Sequence, residues 1–361
     1  MPFQIIRNDI TKVTADAIVN TANPRPVIGG GTDSAIYHAA GEDLLLAERK
    51  KIGDIAPGNA VSTPAFGLNA KYIIHTVGHA WIDGSHGERE MLHACYANSL
   101  QLAADLSCES IAFPLIATGV YGFPKDEALD IALREIGKFL LTHEMKVTLV
   151  VFDRKAMELS EKLVGQIDKY IDEHAIGLLR SEEYGEKKLS RRRRIEEKHL
   201  LSEIEDMTWG SMAERLPESP TVLSAPIMTE SAFVFVTKDK GLDAFLSKRE
   251  DTFQKRLLKL IDERHMTDPE VYHKANIDKK VFSKIRCNPD YHPKKKTAVA
   301  FAIALELDMP TMRDFLSRAG YALSPSSKFD LIISYFVENR NFDIFEINAA
   351  LFEYDQELLG Y

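Results

Sequence analysis

An α/β fold is predicted for the first half of this chain, with a central sheet covered by helices on both faces, followed by a separate all-α region. Two observations predict it. Up to about residue 170, short β-branched runs alternate with stretches of helical period. Beyond Gly241 only the helical period persists. A third observation locates the chemistry. The strand-like run Ile18-Val19 delivers Asn20-Thr21-Ala22-Asn23 to a turn, and Gly29-Gly30-Gly31-Thr32-Asp33 follows. Glycines let backbone amides approach anionic oxygens closely, and the start of a helix adds favourable partial charge.

Strands are expected at Gln4–Ile6, Ala17–Val19, Ala60–Ser62, Tyr72–His75, Ser110–Pro114 and Val147–Phe152. Helices are expected at Ser34–Ala40, Glu88–Leu106 and Lys125–Thr142, the last with acids in its first turn to suit the helix dipole. Ligands of such sheets bind where loops converge at the strand carboxyl ends. Both the Asn/Gly segment and a second loop, Ala117–Pro124, follow apolar strands.

Residues 1–170 thus read as one domain, 171–240 as a charged linker, and 241–361 as a helical domain. Arg191-Arg192-Arg193-Arg194 lies in the linker, but Glu196-Glu197 follow at once, so the run reads as a solvated segment. Ala232–Val236 is a short β-like island there. In the helical part, amphipathic Asp243–His265 is followed by Asp268–Ala275, Asn276–Arg286, Ala298–Leu307, Met312–Ala319, Phe329–Glu338 and Ile344–Phe352.

With 361 residues the chain is long enough for two cores, and a net charge of −9 argues against a wholly basic nucleic-acid binder. Cys95, Cys108 and Cys287 are scattered, as expected of free thiols in a reducing cytoplasm. No signal peptide or membrane span is expected. His75, His79, His86 and His93 are close in sequence, but they fall on a strand, a loop and a helix with no paired carboxylate or cysteine at metal-ligand spacing, so no metal is expected.

Taken singly, Asp33 reads as a cap for a helix starting at Ser34, and Asn20 and Asn23 as turn residues satisfying backbone. Five segments taken together point further. Asn8-Asp9-Ile10-Thr11, Asp16–Asn23, Gly29–Asp33, Tyr72–Gly78 and Ile116–Pro124 resemble, in order, the motifs of macro domains. The resemblance covers about the first 165 residues. It implies a three-layer fold with a mixed central sheet, and ADP-ribose as ligand or product with no further cofactor.

The resemblance also implies roles. Asp9 would accept a hydrogen bond from the adenine amino group, with Ile10 and Asn20 among the ligand-binding positions. Gly29, Gly30 and Gly31 would clamp the diphosphate from one side with backbone amides, and Thr118, Gly119, Val120, Tyr121 and Gly122 from the other. Phe123 would pack against the distal ribose, whose hydroxyls Asn23 would hold. In the hydrolytic MacroD-type branch an Asn and an Asp stand as Asn23 and Asp33 do here. This implies catalysis by these two on an ester-linked ADP-ribosyl group, on an acidic side chain or in O-acetyl-ADP-ribose. The alternative is a non-catalytic ADP-ribose sensor.

Residues 252–320 resemble, more faintly, the helix-turn-helix of Cro/repressor-type regulators. The segment Asp278–Arg286 would then be the reading helix. Lys279, Lys280, Lys284, Arg286, Lys294, Lys295 and Lys296 are the candidate nucleic-acid contacts. The acidic region after Phe329, and the few Asn, Gln or Ser side chains on that helix, favour instead a helical module that binds a protein or the first domain.

Overall fold

The computed structural model describes residues 2–152, 159, 162–174 and 251–360. The arginine run, the β-like island and the start of the helix expected from Asp243 lie outside the described residues.

All six expected strands form, with boundaries within two residues of those expected. They are β1 (Phe3–Arg7), β2 (Ala17–Thr21), β3 (Ala60–Pro64), β4 (Tyr72–Thr76), β5 (Ser110–Pro114) and β6 (Lys146–Val151). They make one sheet in the order β1-β6-β5-β2-β4-β3. The sheet is mixed because β3 runs antiparallel to β4 while the other pairs are parallel. The parallel strands therefore end on one side, where β2 and β5 hand the chain to the two loops of interest.

Helices α1 (Thr32–Ala40) and α2 (Glu42–Ile52) cover one face of the sheet, with Ile36, Tyr37 and Leu45 packed on Ile18, Ile73 and Val150. On the other face, α3 (Glu88–Asp105) and α4 (Lys125–Leu140) pack on Val19, Ile74, Phe113 and Leu149. This is the three-layer arrangement expected of strands buried on both sides. Two expectations need correction. Helix α1 starts at Thr32 with Gly31 as its N-cap, not at Ser34, and Asp33 makes no cap. Helix α2 was not foreseen, because Gly41 interrupts the helical period between it and α1.

After α5 (162–174), the helical region begins with α6 (Phe253–Glu263), α7 (Asp268–Lys274) and α8 (Lys279–Cys287). It continues with α9 (Lys295–Ala304), α10 (Met309–Ser317), α11 (Lys328–Glu338) and α12 (Ile344–Glu353). Thr267 and Glu270 form a reciprocal capping box at the start of α7. Helix α9 is buried on all sides from Thr297 to Ala304 and forms the axis of this region.

The helices pack against the outer edge of β1. Asn276, in the turn after α7, accepts from the Phe3 amide at 2.8 Å and donates to the Phe3 carbonyl at 3.0 Å. A side-chain amide thereby does for the edge strand what a neighbouring strand would do. Phe345 of α12 fits over Phe3, with ring centroids 5.2 Å apart, and beside Gly137, where a Cβ would lie 3.0 Å from its ring. No helix of the described residues is long and apolar enough to cross a membrane.

Candidate active site

A cleft of about 330 Å³ opens at the carboxyl ends of β2, β5 and β6. Its walls come from three places: Thr21–Asn23 with Gly29–Asp33, then Leu115 and Ala117–Tyr121, then Val150–Phe152. Nine of the residues singled out in sequence line it: Asn23, Gly29, Gly30, Gly31, Asp33, Thr118, Gly119, Val120 and Tyr121.

Asp33 is 2% exposed at the base of the cleft. One carboxylate oxygen accepts from Asn20 Nδ2 at 2.6 Å and the other from the Gly29 amide at 2.6 Å. Burial pushes its pKa above the ordinary aspartate value, while Asn20, the Gly29 N–H and the Arg49 charge pull it back. The first loop folds tightly around this carboxylate. A Cβ on Gly29 would fall 2.6 Å from Asn23 Nδ2 and 3.1 Å from an Asp33 oxygen. Gly31 turns the chain into α1 with φ of +64°, which favours glycine. Asn23 is half-buried and donates to the Val27 carbonyl at 3.3 Å.

Not every expected residue reaches the cleft. Phe123 is 2% exposed and is not part of the cleft lining, its ring edge-on to Trp81 at 4.7 Å. Tyr121 is the aromatic side chain that this loop turns into the cleft, and burial together with the Asp33 charge raises its phenol pKa. Ile10 belongs to the apolar layer under α1. Asp9 lies outside the lining and accepts from the Thr11 amide and hydroxyl, which hold its carboxyl below the usual range. Gly122 closes the second loop with φ of +65°. Asn20 is fully buried behind Asp33.

Two residues at or behind the cleft escaped sequence reasoning. Phe152 lines the cleft with its ring exposed, and read in sequence only as the end of a strand. Arg49 is 1% exposed and donates to the carbonyls of Gly53 and Asn23. It lies on the unforeseen α2, so nothing in its local pattern marked it.

The histidines scatter. His75 is buried in the sheet, and His93 bonds Glu135 at 3.0 Å. Asp83, His86 and Glu88 bring three ligand-type atoms within 4.8 Å of one another. Glu88, however, accepts from the amides of Ile82, Asp83, Gly84 and His86. Burial acts to raise its pKa, but these donors outweigh it and bring the value to about 2. Its carboxylate is committed to holding this loop.

The cationic set on the helices is also sorted. Arg286 pairs with Asp268, Lys295 with Asp330 at 2.6 Å and Lys296 with Glu357 at 3.3 Å. Lys279, Lys280, Lys284 and Lys294 are exposed.

The macro-domain family model matches residues 19–132. A protein named O-acetyl-ADP-ribose deacetylase from Citrobacter rodentium is 44% identical over 169 residues, covering 45% of this chain and 96% of that protein. One of the same name from Escherichia coli K12 is 43% identical over 169 residues. A solved macrodomain of Oceanobacillus iheyensis is 38% identical, covering 43% of this chain and 85% of that one, with a TM-score of 0.40. A mixed sheet with helices on both faces, and a glycine-walled cleft at its strand ends, define a three-layer α/β protein with a ligand-type cleft at the strand carboxyl ends. Within that class, this chain belongs to the macro-domain family.

Proposed function

We propose that the chain is a hydrolase of ADP-ribosyl esters, acting on O-acetyl-ADP-ribose or on ADP-ribose linked to acidic side chains. The observation that carries this reading is the buried Asp33 carboxylate at the base of the cleft, within one loop of Asn23. Relatives covered along nearly their whole length and named for deacetylation of O-acetyl-ADP-ribose support it. In this reading the amides of Gly29–Gly31 and Thr118–Gly122 hold the diphosphate, and Asn23 orients the distal ribose. Asp33 accepts a proton from the water that attacks the ester.

The test is release of ADP-ribose from a glutamate-linked conjugate, and of acetate from O-acetyl-ADP-ribose, beside an ADP-ribose titration. Asp33→Ala is expected to lower turnover about 100-fold or more while changing affinity only a few-fold. Undiminished turnover in the variant rejects the mechanism. Binding without turnover in the wild type makes the domain a sensor.

For the helical region a second reading rests on α8. Helices α7 and α8, joined by residues 275–278, have the order of a helix-turn-helix, and α8 presents Lys279, Lys280 and Lys284 to solvent. We propose that this face meets a nucleic acid. Replacing the three lysines by alanine is then expected to weaken duplex DNA binding at low salt. The slope of log K against log salt should fall by roughly 0.9 for each phosphate that a lysine no longer neutralises. An unchanged affinity assigns the face to a protein partner.

A further inference from the structure

Behind Asp33 a chain of buried polar side chains runs across the sheet to its far edge. Asn20 on β2 and His75 on β4 are direct register partners, and Thr63 on β3 is the diagonal neighbour on the same face. Asn20 Nδ2 lies 2.6 Å from Asp33 Oδ1 and 3.1 Å from His75 Nδ1, and His75 Nε2 lies 3.0 Å from Thr63 Oγ1. Asn20, His75, Thr63 and Asp33 are all 2% exposed or less.

An ionised Asp33 fixes the donors and acceptors of this chain, because its oxygen must meet an Asn20 N–H, which leaves Asn20 Oδ1 without a partner. Asn20 Nδ2 carries two hydrogens and gives one to Asp33 and one to the imidazole. His75 must therefore offer a lone pair at Nδ1 and carry its proton at Nε2. That proton needs an acceptor inside the protein, and the Thr63 hydroxyl is the one in reach. The carboxylate thus selects the amide orientation, the amide selects the tautomer, and the Thr63 hydroxyl supports that tautomer by accepting its Nε2 proton.

We infer that Thr63 and His75 are positioning residues for Asp33, acting through Asn20 to hold its carboxylate as a hydrogen-bond acceptor. The inference rests on the proposal that Asp33 serves the hydrolysis. Burial and the nearby Arg49 charge keep the His75 ring neutral, its pKa lowered to about 3, which agrees with a ring that accepts at Nδ1. The other groups bearing on Asp33 are Arg49 from α2, Tyr37 from α1 and Tyr121 from the second loop.

Thr63 lies outside the cleft lining, so Thr63→Val, which keeps the shape of the side chain, tests the chain of bonds without touching the ligand. Without the hydroxyl, the proton on Nε2 is left buried and unpaired. A buried N–H left unpaired costs more than a lone pair left unpaired, so the balance shifts toward the Nδ1–H tautomer, with Asn20 Oδ1 turned toward both neighbours. Asp33 must be protonated to meet that oxygen, so its pKa rises.

The acid limb of kcat/KM is expected to move up by about one pH unit or more in Thr63→Val. Thr63→Ser, which keeps the hydroxyl, is expected to restore the wild-type profile. A Thr63→Val enzyme with a lower rate but an unmoved acid limb overturns the inference. If that variant does not fold, His75→Asn and His75→Leu replace it. Asn keeps an acceptor at the Nδ1 position and should hold the wild-type limb, whereas Leu should not, and equal limbs overturn the inference. Carboxyl ¹³C titration of Asp33 in wild type and Thr63→Val reads the same shift without turnover. A wild type that fails to hydrolyse therefore refutes the proposed reaction, while an unmoved Asp33 titration refutes this inference.

Discussion

At the residue scale, the site depends on polar groups withdrawn from water and held by a few short hydrogen bonds. Gly29 shows how close the packing is, since one added methyl there would meet both Asn23 and Asp33. Gly29→Ala is therefore expected to weaken ADP-ribose binding by displacing Asn23, in a direct titration. His75 shows the cost of burial. The unfolded imidazole gains its proton near pH 6.5, while the folded one stays neutral down to about 3. Between those values the unfolded state binds more protons, so stability rises with pH across this window and is lost as pH falls through it. Each pH unit corresponds to roughly 1.4 kcal/mol, so the loss on reaching about pH 4.5 is on the order of 2–3 kcal/mol. His75→Asn removes this titration. The gap in unfolding free energy between wild type and variant is expected to narrow between about pH 7 and pH 4.5 in urea. A constant gap assigns the acid sensitivity to other groups.

At the element scale, the edge strand β1 is the place where the two halves of the chain meet. An exposed parallel edge invites pairing with other chains, and here α12 and the Asn276 turn cover it. Asn276 adopts φ of +52°, a left-handed conformation that asparagine tolerates, and this aims its amide at the Phe3 backbone. Asn276→Ala leaves a buried amide and carbonyl of β1 unpaired. It is expected to cost about 2 kcal/mol or more by urea unfolding, and to raise hydrogen exchange in β1. Exchange unchanged in β1 would mean that the strand is held by β6 alone. The turn that carries the helix-turn-helix resemblance is thus also a fastening point, and α8 beyond it keeps its lysines outward.

At the scale of the whole molecule, residues 1–173 and 251–361 form one compact unit, and a single apolar cluster runs from β6 through α4 into α9 and α11. Tyr272 of α7 donates to Glu144 at 3.0 Å, and Tyr335 of α11 to Gln166 at 3.0 Å, so polar contacts accompany the apolar ones. Much of this was legible in sequence. The strands showed themselves because each is a short apolar run flanked by polar turns. The Asn/Gly segment showed itself because close backbone approach to an anion demands glycine, and glycine is visible by name. Helix α2 and its Arg49 were not legible, because Gly41 breaks the period and a lone arginine carries no local mark of burial. The burial of Phe123 was not legible either, because an aromatic in a loop looks the same in sequence whether it lines a cleft or packs beneath the loop.

What the sequence by itself determined is what local chemistry can specify: strand and helix order, the glycine-walled turns, and the presence of Asn23 and Asp33 beside them. Only the tertiary structure decided which groups share a hydrogen bond across the sheet. Thr63, His75, Asn20 and Asp33 span positions from three strands and a helix, and their coupling arises from register. It also decided which lysines of the helical region remain open, because the acids that claim Arg286, Lys295 and Lys296 come from other helices or from the chain beyond them. Periodicity and propensity act over a few residues, whereas burial, pairing and charge balance are set by neighbours that the fold brings from far along the chain.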